Sequence, residues 1–287
     1  MPTEQDILIG VHPTVPHIFG NWLNFEDINV LDTKPNKKHR KLSEISGQRN
    51  TAIEALANWI VEHHVSIKRL ERINKRKAAI LTKYGISLEN YLDDQHLFPR
   101  NESTKSGNAT EILLVEYLKA TSGLELLVFR LHYNPNVDQS MKGDDCLLFQ
   151  KSDLSSKVIV GEAKFRSTPS KVVIEEMINN LQEGKKNPIS LSFVSAVLSE
   201  MNNEDMADKI DDLQYEIAKG RVPVTNVGFL LSTMGKNKSS DAALRIESDF
   251  DTTNESLVVL SLGVDNPQEI ITKAFDLAKT KLLLASI

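Results

Sequence analysis

The sequence predicts an α/β protein: a mixed central sheet flanked by helices, preceded by an α-helical N-terminal region. Three observations carry this. A helical segment over 108–123 is followed by three apolar runs of strand length, 124–133, 144–150 and 157–165, and then by helical spacing over 169–184. Two later runs, 225–233 and 256–264, precede a closing helix from Pro267 to Leu284. Helical periodicity also begins near Ser46, after an irregular start with four prolines up to Pro35.

Taken in order, residues 50–64 place Ile53, Leu56, Ala57 and Ile60 on one helical face, and a second, basic helix is expected over 66–83 with Gly85 as its stop. Pro99 and Gly107 mark 93–108 as a connection, which divides the chain into a basic, mainly helical region over 1–98 and a core over 99–287. The next helix starts with Asn108 as N-cap and Glu111 at its third position, a capping-box arrangement. Gly143 allows a tight entry into the strand 144–150, and 154–157 is a short link, so 144–150 and 157–165 form a hairpin. Pro169 opens the following helix and Gly184 closes it. Two more helices, 189–201 and the acidic 204–219, complete the layer before the late strands.

With 287 residues, 40% apolar and 25% charged, the composition is that of an ordinary globular protein. A single cysteine, Cys146, excludes an intramolecular disulfide and a cysteine-built zinc site. The first residues lack a secretory pattern and no apolar run reaches membrane length, so a cytoplasmic location without membrane contact is expected. Net charge is −5, yet Lys34–Lys83 holds 13 Lys and Arg against 4 Asp and Glu. Such a block marks a polyanion-facing segment, a partner surface or a solvated helical face.

The chemically informative stretch is "VIVGEAKFRS", 158–167. A core strand runs straight into Glu162 and Lys164, which share one face because side chains two apart on a strand point the same way. The hairpin puts Asp145, at the start of one strand, beside Glu162, at the end of the next. Two carboxylates and an ammonium at one sheet end suit a divalent cation with hard oxygen ligands. The bland reading is a strand-edge salt bridge, worth ~0–1 kcal/mol if exposed. For Glu111, the capping role is itself a complete structural explanation.

Gly143-x-Asp145, then Glu162-x-Lys164 after an apolar strand, behind a helix bearing Glu111, resembles the PD-(D/E)xK phosphodiesterase superfamily. The resemblance implies a restriction-endonuclease-like core and hydrolysis of nucleic-acid phosphodiesters with Mg²⁺, or Mn²⁺ in its place. It implies Asp145 and Glu162 as metal ligands, with the Ala163 carbonyl as a further one. Lys164 would be the water-activating ammonium and Glu111 the acid of the preceding helix. Asp144 stands where the family often has proline and is a second candidate for the role of Asp145. Gln182 and Lys171 are the polar candidates on the following helix, and Arg166 and Ser167 either meet phosphate or form a surface turn. More narrowly, residues 100–265 are similar to the HamA nuclease subunits of Hachiman anti-phage systems, close to AbpA. That implies a DNase effector restrained by a superfamily 2 DNA helicase. The alternatives are a non-catalytic module on the same fold that binds DNA or a helicase, and an RNA-directed nuclease.

Other motifs carry less. His63 and His64 are expected as a solvated pair pointing to different helix faces. Cys146 is expected as a buried apolar residue opposite Asp145. "MGKNKSS", 234–240, lacks the leading glycine of a phosphate loop.

Overall fold

The structure, a computed structural model, describes residues 1–29, 36–184, 188, 190–234 and 241–284. In chain order its elements are α1 (Glu4–Ile9), α2 (Ile18–Trp22), β1 (Leu23–Asn29), β2 (Lys38–Glu44), α3 (Arg49–His64), α4 (Ile67–Tyr84), α5 (Leu88–Asp94) and α6 (Glu102–Ser122). A 3₁₀ turn (Arg130–Tyr133) leads to β3 (Cys146–Phe149), β4 (Val158–Phe165), α7 (Lys171–Gly184), α8 (Leu191–Glu200) and α9 (Glu204–Ala218). β5 (Val224–Thr233), α10 (Ala242–Asp249), β6 (Leu257–Val264) and α11 (Pro267–Leu284) complete it.

Six strands form one mixed sheet in the order β1-β2-β6-β5-β4-β3. The four central strands run parallel and both edge strands antiparallel to their neighbours. Central parallel strands are covered on both faces and read as continuous apolar runs, as in "LVVLSLGV" of β6, buried throughout. One face packs on α3, α6 and α11 through residues such as Leu56, Leu114 and Ala274. On the other face α8 and α9 cover β3 and β4, while α7 and α10 cover β5 and β6. The expected α/β architecture, a mixed sheet between helices, is the one observed.

Three local expectations are corrected. The first 45 residues are not irregular: β1 and β2 pair from Leu23↔Glu44 to Asn29↔Lys38, and β2 joins β6. The pairing hides in the sequence because β2 is "KHRKLSE", a run that reads as solvated, although Lys38, His39 and Arg40 are buried. The run 124–133 is not a strand. It makes one bridge, Glu125 to Phe149, and then turns into the 3₁₀ segment. Third, the helix expected from Asn108 begins at Glu102, capped by Asn101, whose side chain accepts the Ser103 N–H at 2.9 Å. Gly107 is therefore interior to a helix, and Glu111 is no capping residue. The stretch 235–240 lies outside the described residues.

His63 and His64 are buried rather than solvated. His63 Nε2 meets Glu116 Oε1 at 2.7 Å. His64 places Nδ1 at 2.9 Å from the Ile60 carbonyl and Nε2 at 3.1 Å from Asn108 Nδ2. A second proton on that ring would set one donor against another. Burial pushes His64, and likewise His39 beside Ser261, down to about 3. A histidine held neutral by folding contributes stability that is complete above its unfolded value of about 6.5 and is lost as pH falls toward the folded value. The unfolding free energy, from urea titrations, should therefore drop by about 1.4 kcal/mol per pH unit for each ring between roughly pH 6 and pH 4. A flat profile over that range would contradict this reading.

Candidate active site

The β3–β4 hairpin has the register Cys146↔Gly161 to Phe149↔Val158. Cys146, the first residue of β3, is buried against α6, and Asp145 stands just ahead of the strand. Because β3 begins at Cys146, Glu162–Phe165 of β4 run on beyond it with β5 on one side only. Asp145 fills the open side: its N–H donates to the Gly161 carbonyl (3.1 Å) and its Oδ2 accepts the Ala163 N–H (2.8 Å). The Ala163 carbonyl points to this same side, since a strand residue directs both backbone groups one way.

Two glycines make the geometry possible. At Gly161 a Cβ would stand 2.8 Å from Leu114 Cδ2 and 2.9 Å from the Cys146 Cβ, so its absence lets α6 lie directly on the hairpin. At Gly143, φ is +125° and a Cβ would meet Ser190 Oγ at 2.6 Å. Ser190 in turn fixes Asp144: the Asp144 N–H donates to Ser190 Oγ (2.8 Å) and Asp144 Oδ2 accepts the Ser190 N–H (2.9 Å). The two adjacent aspartates thus face different partners, Asp144 bracing the start of α8 and Asp145 facing β4.

A residue the sequence did not single out ties the layers together. Arg130 donates to Glu111 Oε2 (2.8 Å), Asp145 Oδ1 (3.0 Å) and the Asp144 carbonyl (2.9 Å). The signal was present, an arginine inside the apolar run "LLVFRL", but a strand reading offered it no carboxylate. On β4, Lys164 Nζ lies 2.7 Å from Glu162 Oε1 and 4.0 Å from Glu176 of α7. Asn180, one turn on, donates to Glu162 Oε1 at 3.3 Å. Gln182 and Lys171 are not part of this arrangement: the first donates to Thr252 and the second pairs with Glu175.

Glu111, Asp145, Glu162, Ala163 and Lys164 all line one open cleft of about 670 Å³. Its far wall is the first turns of α6, and the loop 140–143 and exposed Arg166 form its rim. Burial and the Glu111 and Glu162 carboxylates push Asp145 well above the usual carboxylate range, with Arg130 and the Ala163 N–H only partly offsetting them. For Lys164 burial acts downward, but Glu162 more than offsets it and holds the ammonium protonated.

Among the described residues, no three His, Cys, Asp or Glu side chains stand as a ready-made metal cage. The carboxylates are drawn instead to Arg130 and Lys164. The donor chemistry nevertheless suits a hard divalent cation, because three carboxylates meet only two cations here and one of the three resists ionisation.

No described helix is long and apolar enough to cross a membrane. The family model for HamA matches residues 16–278 of the chain. A curated relative, Hachiman protein HamA of Bacillus cereus, is 38% identical over 284 residues, covering 99% of this chain and 98% of the relative. The match therefore runs through the N-terminal strands, the hairpin and the closing helix alike, and the chain belongs to the HamA family.

Proposed function

We propose that this chain is the nuclease of a Hachiman anti-phage defence system, a Mg²⁺-dependent hydrolase of DNA phosphodiesters controlled by a partner superfamily 2 helicase. The observation that carries the chemistry is the convergence of Glu111, Asp145, Glu162 and Lys164 on one open cleft. The name of the Bacillus cereus relative supports the defence role, and family membership supports the helicase partner.

Asp145, Glu162 and the Ala163 carbonyl would hold the ion. When bound, it acidifies water and offsets charge on the phosphate. The remaining work falls to the protein's own groups. Lys164, kept protonated by Glu162, cannot take a proton in this state. It supplies a fixed positive charge where negative charge builds on the phosphate as water attacks. Arg130 ties Asp145 to Glu111 through two charge-assisted hydrogen bonds, which fixes where both carboxylates stand in the cleft. Arg166, exposed at the rim, would meet backbone phosphate, which gives affinity without reading sequence.

The test is plasmid DNA and a matched RNA incubated with the chain, alone and with its helicase, in Mg²⁺ and in EDTA. Cleavage of DNA should require the divalent ion and fall by about 10³-fold or more in Glu162→Gln. Undiminished cleavage by that variant would remove Glu162 from the chemistry. RNA as the better substrate would move the enzyme to the RNA-directed class.

A further inference from the structure

The basic block in the N-terminal third is not used by the cleft. We infer that the groove between α4 and α5 is a second nucleic-acid site, binding the phosphate backbone of a single strand and stacking a base on Tyr91. The groove holds about 510 Å³, with Lys68, Arg69, Arg72 and Arg76 along α4 and Tyr91 and Gln95 on the α5 side.

Three features of these residues point to an absent polyanion. Lys68, Arg72 and Arg76 recur every four positions and Lys75 follows Arg72 by three, so they share one helical face, and all four are exposed. Like charges at that spacing repel one another. The helix carries a single acid, Glu71, and among the described residues it forms no ion pair with any of the four. Elsewhere the surface behaves differently: Lys273, Lys279 and Lys281 of α11 and Lys105 and Lys119 of α6 each sit against a carboxylate. A stripe of unopposed cations in a chain whose net charge is −5 is thus a local choice, not a reflection of composition.

The groove is also built. Ile73 packs with Leu92 of α5 and Leu282 of α11, which fixes the two helices against each other. Arg69 donates to the Gln95 carbonyl at 2.9 Å and closes one end. Tyr91 is half-buried: it packs against that cluster and lines the groove. A cationic track beside an aromatic face is the arrangement that holds unpaired nucleotides, since every base has a stacking face and a duplex hides it. An acidic peptide would use the charges but not the ring.

The inference does not depend on hydrolysis in the cleft, and its test keeps the two apart. Anisotropy of labelled (dT)20 is followed with the full-length Glu162→Gln chain in EDTA, where no cleavage occurs. Replacing Lys68, Arg72 and Arg76 together by Gln should weaken binding about tenfold or more and flatten the salt dependence by about two log units per log unit, near 0.7 for each lost phosphate contact. Tyr91→Ala should weaken (dT)20 severalfold while Tyr91→Phe retains it, and a duplex of equal length should bind less tightly. Circular dichroism checks the fold, and the single variant Arg72→Gln gives the same reading, with a smaller change, if the triple variant melts. Binding and salt dependence unchanged in these variants would overturn the inference, as would a poly-glutamate peptide binding as tightly as (dT)20, which would assign the groove to an acidic protein.

Discussion

Lys164→Ala is expected to lower Mg²⁺-dependent DNA cleavage by about 10²–10⁴-fold, the range for removing a group that acts at the reacting centre. The fold should barely notice. Lys164 is about one-fifth exposed and its partner Glu162 opens onto the same cleft, so the carboxylate left behind is solvated rather than stranded. An ion pair of that exposure is worth about 1 kcal/mol or less. The two readouts therefore separate chemistry from structure: initial rates of plasmid nicking should collapse while the melting curve stays in place. Lys164→Arg sharpens the reading. It restores the positive charge but spreads it over a planar fork that cannot sit in the place of a compact ammonium beside Glu162. Partial recovery is expected if charge is what matters, and none if the ammonium must touch the water itself. Full activity of Lys164→Ala would mean that the ion pair with Glu162 is only a strand-edge contact.

The hairpin behind this prediction was legible because its determinants are local. Alternation puts Glu162 beside Lys164, and a short link between two apolar runs fixes which ends meet, so that Asp145, just ahead of β3, lies beside the end of β4. Glu111 was legible as a residue but not in its setting. Asn108 and Glu111 look like a cap only because Asn101, the real cap, precedes a Gly107 that reads as a breaker. With the cap moved two turns upstream, Glu111 is left free for Arg130. Arg130 itself could not be placed, because its side-chain partners are 15 and 19 residues away, one just ahead of β3 and the other on α6. The same limit hid β2. Burying "KHR" in a strand is costly unless each group finds a partner, and those partners lie far off in sequence: Lys37 and Lys38 donate to the carbonyls of Glu247 and Glu255, and His39 meets Ser261.

Arg40 is the strongest case of that kind, and Arg40→Ala should destabilise the protein by about 3–5 kcal/mol, a large part of the ~5–15 kcal/mol a domain has. Its side chain is fully buried on β2. The guanidinium donates to Asp27 Oδ1 (2.6 Å) and Oδ2 (2.8 Å) on β1, to Asp6 Oδ1 (2.8 Å) on α1, and to the Gly10 carbonyl (2.9 Å), and it lies over the Phe25 ring. Removing it strands two carboxylates that share one cation, at the point where α1 and the edge strand β1 are fastened to the sheet. Burial raises the Asp6 carboxyl, but the Thr3 N–H and Arg40 together hold it below its ordinary value, so part of what they stabilise is lost again as pH falls through the folded value. Arg40→Lys should recover little, because one ammonium cannot reproduce the bidentate fork on Asp27. Arg40→Met combined with Asp27→Leu should be less destabilised than Arg40→Met alone, since it removes the more deeply buried of the two stranded carboxylates and leaves only Asp6, which keeps the Thr3 N–H. The strand order makes the functional consequence specific. β6 and β5 stand between β2 and the β4 strand that carries Glu162 and Lys164, about 14 Å away at ~4.8 Å per strand. Below its lowered melting temperature, Arg40→Ala should therefore cleave DNA at close to the normal rate. A loss under about 1 kcal/mol in urea titrations would show that water, not Arg40, satisfies Asp6 and Asp27.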